Sequence, residues 1–118
     1  MRARLTLLGA CISLTSAACG GAPAPSHQLT ESNSAIRAAE ELGAENTPKA
    51  ALHLKMARDH LRNAEALIAE EEYDAAALVL KRAEADADLA LALAREAQAR
   101  AQAEDAMRKV QELKRDME

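Results

Sequence analysis

The sequence is nearly devoid of aromatic residues: Tyr73 stands alone, with no Phe and no Trp. A protein that grips single-stranded nucleic acid needs aromatic platforms, and one that grips phosphate backbones needs a basic surface. With 15 basic against 19 acidic side chains, a net charge of −4, the chain offers neither, so no nucleic acid is expected as a partner. Glycine and proline are also scarce, four and three in 118 residues. So few turn formers exclude a sandwich or barrel. The two cysteines, Cys11 and Cys19, are too few for a disulfide framework or a Cys/His metal cluster. No Ser-His-Asp set and no glycine-rich phosphate loop is present. A short, mostly helical chain leaves little material to wall a pocket. The expectation is therefore no enzyme, no metal, no cofactor and no small-molecule substrate.

What the chain has is alanine, 30 of its 118 residues, set among Leu, Glu and Arg. That composition reads as long helices and an all-α fold. The first predicted helix covers about 29–43, with Ser and Thr upstream as caps, Ile36 and Ala39 on its apolar side and Gly43 as its stop. Thr47 is placed to cap the next helix, with Pro48 at the first position, where a missing N–H costs nothing. This second helix covers about 48–70. Its Ala50, Leu54, Ala57, Leu61, Ala64 and Ile68 are spaced by alternating fours and threes, the seam of a helical hairpin. Three adjacent carboxylates, Glu70 to Glu72, oppose the dipole at its end, and Asp74 is placed to cap the third helix.

The third helix covers about 74–116, without a Gly or Pro. Its first seam runs from Ala76 and Leu80 through Ala83, Ala87, Ala90 and Ala94 to Ala97 and Ala101. The register then shifts to a second seam with larger side chains, from Ala99, Ala103 and Ala106 to Val110, Leu113 and Met117. The second helix is only about half as long as the third at 1.5 Å per residue. The far half of the third helix must therefore project, bend back or meet another chain. Glu96, Arg100, Glu104, Arg108 and Glu112, with the pair Asp105 and Lys109, lace its surface with alternating charge. The predicted architecture is a helical hairpin or three-helix bundle whose C-terminal helix extends as a coiled-coil-like stalk. Val110, Leu113 and Met117 are its candidate interaction residues, because an exposed apolar stripe on a small domain marks a partner surface.

Three motifs read as ordinary surface. His53 and His60 flank Met56 on the second helix, but seven residues separate the histidines, too far for one ion. Glu84, Asp86 and Asp88 resemble part of a calcium loop, yet neither the glycine nor the terminal Glu follows, and a polar helix face is expected. The stretch from Ala64 to Ala76 is similar to one tetratricopeptide unit, whereas a solenoid needs about three.

The start of the chain reads as an address. Arg2 and Arg4 precede fourteen uncharged residues, Leu5 to Ala18, too short to span a membrane and right for a secretory signal. Ser16-Ala17-Ala18-Cys19 resembles the bacterial lipobox, with Ser16 where Leu is usual. Residues 1–18 are then a lipoprotein signal peptide and Cys19 the lipidated residue. Two alternatives stay open. Leu8-Gly9-Ala10-Cys11 is a better local lipobox behind a shorter apolar run, and an ordinary cleaved signal would leave Cys19 incidental. Lipidation at Cys19 discards Cys11 and leaves no thiol for a disulfide. Residues 19–28 read as a mobile Gly/Pro/Ala tether, which also carries His27, and 29–118 as the helical domain. Without Arg2 and Arg4 the remaining chain has 13 basic and 19 acidic side chains, net −6.

The order Arg37-Ala38-Ala39-Glu40-Glu41-Leu42-Gly43-Ala44, a proline, Leu54-x2-Ala57-x3-Leu61-x2-Ala64, Tyr73-x2-Ala76, then Ala83-x-Ala85-Asp86-Ala87 and Ala90 carries a resemblance over about residues 30–105. It resembles short helical bacterial envelope lipoproteins classed under a domain of unknown function, some of which carry an OmpA-like peptidoglycan-binding domain. The resemblance implies a protein of the bacterial cell envelope, lipid-anchored. Gly20 after the cysteine, in place of the Asp associated with inner-membrane retention, points to the outer membrane, facing the periplasm. The chain is also similar to the major murein lipoprotein, an anchor followed by an alanine-rich coiled coil. Its end, Lys114-Arg115-Asp116-Met117-Glu118, lacks that protein's terminal lysine, so no covalent wall attachment is expected, nor an OmpA-like hold on peptidoglycan. The expected role is a non-enzymatic outer-membrane lipoprotein acting as a helical scaffold or adaptor. Its expected partners are the membrane through the lipid anchor and either a second copy, as a homo-oligomer, or an OmpA-like envelope protein. The alternative is a periplasmic accessory subunit or chaperone binding a client helix along the alanine seam.

Overall fold

The structure, a computed structural model, describes residues 21–118. Three α-helices follow in order: α1 Ser26–Glu41, α2 Pro48–Ala69 and α3 Tyr73–Asp116, with one 3₁₀ turn, Ala44–Asn46, between α1 and α2. The described residues are 87% helical and contain no strand, so the fold is all-α. Short links make α2 antiparallel to both neighbours. Ser32 of α1 bonds to Leu80 of α3, and Leu42, just past α1, bonds to Gln98 further along α3, so α1 and α3 run side by side in the same direction.

The core is small-residue packing. Ala50, Leu54, Ala57 and Ala64 of α2 meet Ala76, Leu80, Ala83, Ala87, Ala90 and Ala94 of α3, all buried. Ile36, Ala39 and Ala44 close the cluster from the α1 side. Alanine carries no side chain beyond Cβ, so the helices approach closely. Leu54 and Leu80 are the largest apolar side chains that are fully buried. Leu61 and Ile68, expected in the α2 seam, lie at its margin and are half-buried. Ala97 is half-buried and Ala101 exposed, which marks where the first α3 seam loses its cover.

The helix ends differ from expectation in physically clear ways. α1 begins at Ser26, so the last three residues of the expected tether are helical and the helix starts before residue 29. Pro25 sits at the cap with φ −79°, and its carbonyl accepts the N–H of Leu29 at 3.0 Å. Proline pre-set near a helical φ opens a helix well. Two side chains reinforce the first turns by bonding back to carbonyls, Thr30 to Ser26 and Asn33 to Leu29. His27, expected in the tether, is in the first turn and pairs with Glu31 at 3.0 Å.

Gly43 takes φ +77° just past α1 and lets the chain reverse. Thr47 does precede α2 with Pro48 at the first position, but its hydroxyl makes no capping bond. Asp74 lies inside the first turn of α3, and Glu72 occupies the cap position. The reason is the α2 ending. Glu72 N–H reaches back to the Leu67 carbonyl at 2.9 Å and Glu71 N–H to Ile68 at 3.1 Å, a Schellman closure. That geometry puts Glu71 at φ +61° and consumes the residues up to Glu72, so the next helix opens at Tyr73.

Candidate interaction surface

α2 and α3 differ in length by 22 residues, about 33 Å of helix. The excess is the distal part of α3. The hydrogen bond from Gln98 Nε2 to the Leu42 carbonyl, 3.3 Å, is the bundle's last strut along α3. Beyond it almost every residue is exposed. Val110 is 51% exposed, Leu113 62% and Met117 80%, and Met107 is exposed with them. The expected interaction residues therefore share one uncovered helix. A shallow depression lined by Ala106, Met107, Val110, Gln111 and Lys114 lies along it.

Charge holds this segment together. Asp105 accepts from Lys109 at 3.0 Å and Arg108 at 2.9 Å, and Arg100 pairs with Glu96. The Lys109 bond first, then Arg108, holds the Asp105 carboxyl below its ordinary value. Arg108 turns to Asp105 and not to Glu104, the partner expected from steps of four, because i,i+3 neighbours also face each other. Nearer the bundle, Arg58 on α2 donates to Glu40 of α1 and to Glu45 of the 3₁₀ turn, each at 2.6 Å. Those bonds, Glu45 first, raise the Arg58 pKa above its ordinary value. Asp59 receives Lys55 at 3.0 Å and also Arg62, which lowers its pKa, with Lys55 as the larger cause.

The histidines hold a relationship that spacing along α2 did not reveal. His53 Nδ1 lies 3.0 Å from Asp86 Oδ1, and His60 Nε2 lies 3.4 Å from Asp86 Oδ2. Each oxygen of one α3 carboxylate faces one histidine of α2. Asp86 precedes the buried Ala87, so it stands at the seam edge midway between residues two turns apart on the antiparallel neighbour. Among the described residues no group of three such side chains is arranged to hold a metal ion. The cluster is a clasp between α2 and α3. Glu84 and Asp88 take no part in it.

A second set of exposed apolar side chains also went unread in the sequence. Leu52 and Met56 sit on the outer side of α2, and Leu78 and Leu89 on the outer side of α3. Within the described residues no helix is long and apolar enough to cross a membrane. Cys19, the rival Cys11 and the signal segment 1–18 lie outside the described residues.

Fold and surface together define an all-α bundle of three helices with an overhanging third helix. Residues 27–106 match the family described as Domain of unknown function (DUF4398), and the chain belongs to that family. No curated protein and no solved structure matches it.

Proposed function

We propose that the chain is a non-enzymatic scaffold or adaptor of the bacterial envelope. A lipid on Cys19 anchors it in the outer membrane, facing the periplasm. The observation that carries this reading is polarity along the rod. Gly21 and Ala22, next to the proposed anchor, share a surface depression with Glu71, Glu72, Tyr73 and Asp74 at the α2–α3 turn. The uncovered part of α3 leaves the bundle at the opposite end. An anchor at residue 19 therefore holds one end of a rod whose overhang ends about 65 Å away at 1.5 Å per residue. Such a layout suits a spacer that presents Val110, Leu113 and Met117 to a partner, a second copy or an OmpA-like envelope protein. The charge-free run ending at Cys19 supports the anchor. The alternative, a periplasmic accessory subunit or chaperone clasping a client helix along the alanine seam, loses its groove, because Ala83, Ala87 and Ala90 are fully buried against the chain's own helices.

The test is envelope pull-down with Val110→Asp combined with Leu113→Asp. Both side chains are exposed, so the fold stays intact by thermal melt, while recovery of the bound partner falls. Unchanged recovery contradicts the reading.

A further inference from the structure

The distal stripe does not stop where the bundle begins. Stepping back by sevens from Leu113 reaches Ala106, Ala99, Ala92, Ala85 and Leu78. The intervening positions, Met117, Val110, Ala103 and Leu89, keep the same four-three spacing, and only Glu96 and Arg82 interrupt it. Every one of these residues is exposed. α3 therefore presents a second heptad face, turned away from α1 and α2, over 40 residues or about 58 Å.

We infer that this face pairs with the same face of a second copy, antiparallel, with Leu78 opposite Met117. The inference rests on reading α3 as the working surface of a scaffold, and it names the partner. Three observations choose this occupant and this direction. First, a parallel pair in register sets Arg82 on Arg82 inside the seam and brings Lys109 of one copy to Lys114 of the other. Second, the antiparallel pair sets Asp88 beside Lys109 and Lys81 beside Asp116, both twice by symmetry, at the flanking positions that choose orientation. All four are exposed. Lys109 also holds Asp105 on its own helix, and its three N–H donors allow both. Sliding the pair by one heptad sets Lys81 against Lys109 and Arg95 against its own copy. Sliding by two strands Leu113 and Met117 beyond the partner's α3. Third, in the chosen register Val110 meets Ala85 and Leu89 meets Ala106, large opposite small, while Leu78 meets Met117 and Arg82 meets Leu113 toward the ends of the pair. A strip about 58 Å long and one helix diameter, about 10 Å, wide covers about 1,160 Å² over both copies, above the roughly 1,000 Å² of a specific interface.

The test uses residues 20–118, which contain every buried side chain described and no cysteine. Analytical ultracentrifugation gives a rod-shaped dimer. Asp88→Lys weakens the dimer about tenfold through two like-charge contacts, and adding Lys109→Asp restores it. Leu89→Cys chains mixed with Ala106→Cys chains form linked pairs on mild oxidation that neither gives alone. Self-linking of Leu89→Cys means a parallel pair and overturns the inference, as does a dimer indifferent to Asp88→Lys. A monomer at all concentrations overturns it too. If the pull-down with Val110→Asp and Leu113→Asp still loses a partner in that case, the scaffold reading survives with a different protein on this face. If it loses nothing, both fail.

Discussion

Ser32 Oγ donates to the Leu80 backbone carbonyl at 2.9 Å, joining α1 to α3 inside the buried interface. Ser32 is fully buried, and among the described residues its hydroxyl bonds only to that carbonyl, which also serves its own helix. Ser32→Ala removes the bond without stranding a donor. A loss of about 0.5–1.5 kcal/mol is expected, measured by urea denaturation. Ser32→Val, which adds bulk in a seam of alanines, is expected to cost more than Ser32→Ala.

The close approach of α2 to α3 rests on alanine. Ala87→Leu forces a large side chain into a fully buried position, and a loss of about 1–3 kcal/mol is expected. Ala99→Leu, on the exposed overhang, is expected to cost far less. Thermal melts that rank these two in the reverse order contradict the seam.

Glu71 occupies a left-handed backbone conformation, φ +61°, that a residue with a Cβ adopts at a cost of roughly 1–2 kcal/mol. Glu71→Gly removes that strain and one of three neighbouring carboxylates at the α2 C-terminus, against a larger entropy loss for glycine. The net expectation is a gain of about 0.5–1 kcal/mol, read as a raised denaturation midpoint. Glu71→Val is expected to lower it, because a β-branched side chain fits the left-handed region poorly.

Asp105 has a pKa held below its ordinary value of 3.8 by Lys109 and Arg108. A carboxylate with a depressed folded value contributes stability above the unfolded value and loses it as pH falls through the folded one. Asp105→Asn is therefore expected to reduce helicity of the overhang at neutral pH. In acid well below 3.8 the variant and the parent converge. Circular dichroism across that range reads both limits, and a difference that persists in acid removes the ion pairs as its cause.

The α3 seam was legible in the sequence because it depends on one helix alone. Ala76 to Ala94 keep a four-three spacing that no turn residue interrupts, and all the seam positions in that span are buried. The overhang followed from helix lengths. The His53–Asp86–His60 clasp was not legible, since it depends on the relative register of two helices. Spacing along α2 only excludes direct chelation and says nothing of a carboxylate arriving midway between the histidines. Ser32 was hidden for the same reason, because its acceptor lies 48 residues away. The α1 start was misplaced because Gly/Pro-rich composition reads as tether, while Pro25 at the cap position in fact opens the helix. Of the outer face of α3 only the distal seam from Ala99 to Met117 was legible, because Arg82 and Glu96 break the rest, and its continuity shows only once exposure is known along the whole helix.

The scaffold reading depends on the proposed lipid anchor at Cys19. The direct measurement is metabolic labelling with a fatty-acid analogue in cells producing the full chain, compared with Cys19→Ala and Cys11→Ala. Label is expected on the parent and on Cys11→Ala, and an unlabelled Cys19→Ala protein is expected in the soluble periplasm. Label that persists in Cys19→Ala and vanishes in Cys11→Ala assigns the anchor to Cys11, and a parent that carries no label at all contradicts the anchor altogether.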